Sequence, residues 1–448
     1  MEVRITSKEM VKPSAKEIHL RKPFSLSLLD QLVPAHYVPL IFFYSKPNDS
    51  QFLVGLKESL SKALNQFYPL SGRTIDNLRI GSYEPYVEAK VKGCLADCIS
   101  QTEQESLNQL LPCQRYCIVP TSTSPLVAIQ INMFDCGGIA IAFCGSHKLV
   151  DATTASAFIK SLAAFNRGSD GEIPDPHMLD AGSRLDPIPP NYTSLIEGLW
   201  FEEGWYTTRR FVFDDQAIAT LKFKAKSKGL EHPTRTAALV AFLWKHALLA
   251  SRAACGRSKS SVLTQAVNLR TRMKPGLPNH AIGNLYSLAF STYNSVERDI
   301  ELHQLAYLTR EAIEVFNDQI SVLQSGDMLK FQTDRYNEAV DVVSQDDPEF
   351  FDCVTWLNTL DTNEVDFGWG ELTGLSLGCP DTRYNSFANS SILNEIEKSK
   401  AVEAVVTLDT KTMDILGLDS EFLAFASPVS FPHHFTSCVV FAWLLYDE

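Results

Sequence analysis

Between Arg167 and Pro190 the hydrophobic periodicity that runs through the rest of the chain stops. The stretch GSDGEIPDPHMLDAGSRLDPIPP holds five prolines and three glycines, and no helix or strand pattern survives it. Such a stretch reads as a long surface crossover between two domains. Length agrees, because a single hydrophobic core rarely grows beyond roughly 250–300 residues and this chain has 448. The expected division is therefore a domain over 1–170, a crossover over 171–207 and a second domain over 208–448.

On both sides of the break, short apolar runs alternate with helical patterns. Val38–Tyr44 reads as a buried strand. Phe52, Leu53, Leu56, Leu60, Ala63, Leu64 and Phe67 recur at helical spacing, and Pro69 and Gly72 end that helix. Leu126–Phe134 and Ile139–Cys144 read as core strands. Beyond the crossover the pattern predicts a strand over Thr208–Phe213, a helix from Asp215 and another over Thr234–Ser251. The strand Val262–Leu269 follows, then helices through about Lys330, then a strand-rich last third. This order predicts an α/β protein with two sheets rather than one regular doubly wound sheet.

Forty basic against 53 acidic residues give a net charge of −13, which argues against a nucleic-acid partner. A polyanionic ligand would need a local basic patch. The N-terminal thirty residues lack the apolar core of a secretory signal and the acid-free pattern of a transit peptide. No stretch reaches the ~20 apolar residues that a membrane span needs. The apolar run Cys438–Tyr446 reads as a terminal strand. The ten cysteines are scattered, and Cys94/Cys98 and Cys113/Cys117 have no histidine pair at zinc-ligand spacing. A cytoplasmic, monomeric protein with reduced thiols and no bound metal is the expectation.

The segment most suited to chemistry is Cys136–Asp151, CGGIAIAFCGSHKLVD. Its buried strand ends in Gly145 and Ser146, and His147 stands at the exit. Ala155, Phe158, Ile159, Leu162 and Ala163 then form one helix face, closed by Gly168. A histidine held between strand and helix is fixed by backbone, as a general base must be. With an ordinary pKa of roughly 6.5 it is mostly neutral near pH 7. Spacing alone leaves His147 open between a structural and a catalytic role. Asp151 stands where a helix N-cap belongs.

His147-Lys148-Leu149-Val150-Asp151 resembles the His-x-x-x-Asp motif of the BAHD acyltransferases, and Asp366-Phe367-Gly368-Trp369-Gly370 resembles that family's Asp-Phe-Gly-Trp-Gly motif without a mismatch. Phe67–Arg73 (FYPLSGR), Gln265–Arg272 (QAVNLRTR) and Ala281–Asn284 (AIGN) are similar to further family segments, so the resemblance runs along nearly the whole chain. It is strongest to the vinorine synthase-like branch of alkaloid and terpenoid acetyltransferases.

The resemblance implies a chloramphenicol acetyltransferase-like fold, with a mixed β-sheet in each of two domains and a channel between them. It implies acyl-CoA, acetyl-CoA first among donors, as co-substrate, and a small-molecule alcohol as acceptor. His147 would be the general base, with no covalent acyl-enzyme. Asp151 would pair with Arg270 to hold the catalytic turn, and Asp366–Gly370 would be structural. Arg235, Lys245 and Lys259 lie in the half where the resemblance places the coenzyme, although solvated surface explains them as well. Ala152 stands where many relatives have glycine. The lead-in Trp356–Thr362 lacks the family's Pro-Phe-Tyr cluster, and the tail from Phe431 to Glu448 extends beyond the usual end. A silent binding protein on the same scaffold, an aromatic or longer donor, and an amine acceptor are the competing readings. A peptide-synthetase condensation domain is a further one; it carries a second histidine where this chain has Ser146.

Overall fold

Apolar runs build two mixed sheets in the computed structural model of the chain, which describes residues 1–16, 24–33, 36–46, 52–73, 84–100, 104–112, 124–169, 185, 201–202, 204–294, 299–343, 348–357, 359–360, 362–377, 386–387, 389–396 and 399–429. The first sheet contains β1 (Glu2–Val11), β2 (Tyr37–Tyr44), β3 (Glu84–Lys92), β4 (Val127–Phe134), β5 (Ile139–Ser146) and a late strand, β11 (Leu372–Leu377). Their spatial order is β1-β3-β4-β5-β2-β11, with β3 and β4 parallel and the other pairs antiparallel. The central strands β4 and β5 are almost wholly buried, because both sheet faces are covered. Helices Phe52–Gln66 and Ala152–Asn166 cover one face through Leu56, Leu60, Phe158 and Leu162. Arg73, in the FYPLSGR segment, pairs with the fully buried Glu84 of β3 and so ties the end of that segment to the sheet.

The second sheet contains β7 (Tyr206–Phe213), β8 (Ser261–Asn268), β9 (Tyr286–Tyr293), β10 (Glu349–Thr355), β13 (Ser390–Glu395), β14 (Val402–Asp409) and β15 (Ser427–Pro428). Its order is β15-β7-β14-β13-β10-β8-β9, and β10 runs parallel to both of its neighbours. A small pair, β6 (Phe201–Glu202) with β12 (Ser386–Phe387), completes the described strands. Helix Arg235–Cys255 is capped by Thr234 and ended by Gly256 at φ 75°. It packs with helix Leu302–Val322 over one face of this sheet. At 21 residues and mean hydropathy 1.2 it has the length and composition of a membrane span, a run the sequence reading had not credited. Its apolar residues, among them Leu239, Phe242, Leu243 and Trp244, are instead the centre of the second core.

The structure corrects the sequence reading in three places. Tyr286–Tyr293 is a strand where helices were expected, antiparallel to β8 along its whole length. The helical region extends past Lys330 to Val343. The late strand β11 leaves the second half of the chain and pairs with β2, so a boundary at 208 does not separate the two sheets cleanly. Most of the expected crossover, the Cys113/Cys117 pair and the expected terminal strand Cys438–Tyr446 lie outside the described residues.

Candidate active site

His147 leaves the end of β5 in a tight turn. The Leu149 and Val150 amides both donate to the Ser146 carbonyl at 3.0 Å, and the His147 amide donates to the His36 carbonyl at 2.8 Å. Helix Ala152–Asn166 begins directly after, with Asp151 as its N-cap accepting from the Thr154 amide at 2.8 Å. The same carboxylate takes Arg270 Nη1 at 2.7 Å, Arg270 Nη2 at 3.2 Å and the Leu285 amide at 3.3 Å. Asp151 is therefore both cap and ion-pair partner. Arg270, 1% exposed, also donates to the carbonyls of Ala281 and Gly283 at 2.8 and 3.2 Å. The pair thus clamps residues 281–285 of the second half onto the first.

That clamp delivers Asn284 to the histidine. His147 Nδ1 lies 2.9 Å from Asn284 Oδ1, while Asn284 Nδ2 donates to the His147 carbonyl at 2.6 Å and to Asp30 Oδ1 at 3.1 Å. With the amide nitrogen committed to two acceptors, Oδ1 accepts from the ring, so Nδ1 carries the proton. The basic lone pair is then on Nε2. Burial lowers the pKa of the ring; the hydrogen bonds and the Asp151 charge oppose that shift without cancelling it.

Asp30 is the anchor behind Asn284. Its buried carboxyl accepts from the Asn284 amide at 2.7 Å and from Ser27 N and Oγ at 2.9 and 2.7 Å, within the capping box of helix Leu28–Leu32. Burial raises its pKa, against those three donors and Asn284 Nδ2. Gly283 sits at φ +120°, and a Cβ there would come within 3.0 Å of Asp30 Oδ1. The Ala281–Asn284 segment therefore needs glycine where it bends.

A cleft of about 1350 Å³, its open mouth included, lies in front of His147 between the two sheets. The first half contributes His36, Val38 and Thr153, and the second contributes Tyr286, Asp352 and Trp356. His36 tilts against His147 with ring centroids 4.7 Å apart, and Tyr286 lies 6.2 Å away on centroids. Burial pushes the Tyr286 phenol well above its ordinary pKa, so it stays protonated.

The Asp366–Gly370 segment lies elsewhere. Phe367 and Trp369 pack on Tyr44 of β2 with centroids 5.7 and 5.4 Å away, and Tyr44 donates its hydroxyl to the Val365 carbonyl at 2.8 Å. Asn166 and Arg167, at the end of the post-histidine helix, donate to the Phe367 and Asp366 carbonyls. Asp366 Oδ1 takes the Gly368 amide at 2.8 Å. Gly370, at φ +69°, passes so close to the Ser45 carbonyl that a Cβ would lie 2.7 Å from it. None of the five residues lines the cleft. The segment is a turn that feeds β11 to the edge of the first sheet.

Arg235 and Lys245 pair with Glu395 and Glu421, and neither they nor Lys259 line the cleft. The sequence reading quoted Asn284 only as part of a segment and did not single out Asp30, His36, Tyr286 or Asp352. Asp352 had a usable signal, being the lone charge inside the apolar run FFDCV.

The model of the Transferase family matches residues 1–423. Vinorine synthase of Rauvolfia serpentina is 32% identical over 427 residues, covering 92% of this chain and 96% of that protein. The crystal structure of vinorine synthase superposes with a TM-score of 0.79 at 29% identity, over 96% of this chain and 100% of that one. Limonoid 7-O-acetyltransferase of Citrus sinensis is 30% identical over 464 residues, covering 95% of this chain and 98% of its own. F. sporotrichioides TRI101, crystallised with coenzyme A and T-2, shares the fold at a TM-score of 0.66 and 19% identity, over 91% of this chain and all of that one.

Proposed function

This chain belongs to the BAHD acyltransferase family, and we propose that it moves an acyl group, acetyl first among candidates, from coenzyme A to a hydroxyl of a plant terpenoid or alkaloid. His147 is the general base in a ternary complex of enzyme, acyl-CoA and alcohol. The observation that carries this reading is the hydrogen bond from Nδ1 to Asn284, which leaves Nε2 free to accept a proton beside the cleft.

The chemistry needs little more than that nitrogen. Nε2 takes the proton of the acceptor hydroxyl as its oxygen attacks the thioester carbonyl carbon. The C–O bond forms, the tetrahedral adduct collapses and the C–S bond breaks. The proton on Nε2 then goes to the departing sulfur, so His147 returns to its starting state without a covalent acyl-enzyme. A depressed pKa keeps the imidazole neutral before the reaction and ready to give its proton up afterwards.

Asp151 lines the cleft but commits its carboxylate to Arg270 and the Thr154 and Leu285 amides, so this pair acts by fixing the turn and the Asn284 segment. Acetyl transfer to oxygen has support from the limonoid 7-O-acetyltransferase, and coenzyme A from the TRI101 complex crystallised with it. A monomeric, cytoplasmic enzyme completes the proposal. The test is coenzyme A release from acetyl-CoA with a panel of plant terpenoid and alkaloid alcohols, comparing the native enzyme with His147→Ala. Acceptor-dependent release by the native enzyme alone supports the reading. Absence of coenzyme A binding would turn it toward a silent scaffold.

A further inference from the structure

The floor of the cleft is the face of the second sheet turned away from helices Arg235–Cys255 and Leu302–Val322. Along β10 the side chains alternate as a strand requires: Phe351 and Cys353 enter the helix-side core, while Asp352 and Val354 line the cleft. Its neighbours on that face are mainly apolar, with Ala266, Leu288, Ile392 and Val405 among them. A carboxylate in the middle of such a surface costs free energy unless something compensates it.

Within the protein the compensation is partial. Thr264 on β8 donates its hydroxyl to Asp352 Oδ1 at 2.5 Å, and no lysine or arginine among the described residues forms an ion pair with it. The other cleft carboxylate, Asp151, is taken up by Arg270. Asp352 is only 8% exposed, and the exposure it has is to the cleft. Burial raises its pKa to about 6, so it remains mostly anionic at neutral pH. The cleft thus offers one uncompensated negative charge across from the histidines.

We propose that Asp352 recognises the acceptor, selecting a hydroxylated substrate that carries a protonated amine. This rests on the acyltransfer reading above for the identity of the ligand as an acceptor. The donor does not supply the complement: the charges of coenzyme A are phosphates, which a carboxylate repels, and its pantetheine arm is neutral. A cationic nitrogen held at Asp352 satisfies the open carboxylate oxygen while the rest of a polycyclic skeleton rests on the apolar floor. Carboxylate and ammonium then fix which hydroxyl is presented to His147 Nε2.

The experiment uses two matched pairs of probes: tropine against N-acetylnortropine, and lupinine against its lactam. Each pair keeps the hydroxyl and skeleton and differs in the basic nitrogen. Binding is read by quenching of tryptophan fluorescence, since Trp356 lines the cleft, and turnover by coenzyme A release. Asp352→Asn is the variant, because it keeps the shape and an acceptor for Thr264 while removing the charge, and a thermal melt checks its fold. The native enzyme is expected to bind each amine at least about tenfold more tightly than its neutral partner, and Asp352→Asn to lose that preference. Equal responses within a pair, no response to either member included, overturn the proposal. So does a preference that survives in Asp352→Asn. Amine-selective, Asp352-dependent binding without coenzyme A release would support Asp352 as the recognition group and strike instead at acetyl transfer.

Discussion

Asn284 holds His147 at both ends, accepting from its ring Nδ1 at 2.9 Å and donating to its main-chain carbonyl at 2.6 Å. The two residues are 137 positions apart, and the bond joins the two halves of the molecule. It sets the tautomer of the base and aims the ring in a single arrangement. Asn284→Ala is therefore expected to lower kcat by roughly 10–10²-fold, the scale of a misplaced catalytic group, with KM for acyl-CoA little changed. Losing the side-chain donor to buried Asp30 adds about 1–3 kcal/mol of destabilisation, measurable by urea unfolding. Unchanged kcat in a folded variant would remove Asn284 from the mechanism.

His147→Ala is expected to fold, because the turn is held by main-chain bonds and by Asp151 rather than by the ring. Activity should fall by roughly 10²–10⁴-fold, the usual contribution of a general base. Coenzyme A release measured beside a thermal melt separates loss of chemistry from loss of structure.

Asp151 and Arg270 are a buried pair, so losing either partner leaves an uncompensated charge. Either alanine variant should lose about 3–5 kcal/mol of stability. Asp151→Ala also loses the cap of helix Ala152–Asn166, about 0.5–2 kcal/mol more. The double variant should cost clearly less than the sum of the two, because neither charge is then stranded. Chemical denaturation of the four proteins gives the coupling directly, and strict additivity would mean the two groups do not act as a pair.

The pH profile follows from the burial of His147. Its pKa lies below the ordinary histidine value, and the base works only when neutral. As pH falls, kcat/KM should hold through the usual histidine range near 6.5 and decline only as the lowered pKa is crossed. Replacing Asn284 by alanine removes a bond that favours the charged ring, so the acid limb should move to still lower pH. A limb centred above 6.5 in the native enzyme would contradict a buried neutral base.

Gly370→Ala tests whether the Asp-Phe-Gly-Trp-Gly segment is architectural. The strained φ and the Ser45 carbonyl in the way of a Cβ predict a lower melting temperature. The kinetic constants of the enzyme that remains folded should stay close to native. A variant of native stability but reduced kcat would instead give the segment a part in the reaction.

Local pattern settles whatever depends on neighbours in the chain. The strand ending at Ser146, the cap at Asp151 and the helix behind it follow from a run of small and apolar residues succeeded by a helical face, and the structure realises all three. Thr234 likewise caps its helix through its hydroxyl, and Gly256 ends it with a left-handed backbone at φ 75°. Strand β9 was misread because its Ser, Thr and Tyr residues carry a weak apolar signal and it becomes a strand by pairing with β8. The transfer of β11 to the first sheet was hidden for the same reason, since only the unpaired edge of β2 decides where it goes.

The site divides in the same way. Sequence by itself determined that a histidine would be held rigidly at a strand's end, because backbone geometry over a few residues is enough to do so. The tautomer of that histidine, the anchoring of Asn284 by Asp30 and the placing of Asp352 across the cleft were decided only by the tertiary structure. Each depends on groups far apart in the chain meeting at hydrogen-bond or cleft distance, and no local periodicity carries that information.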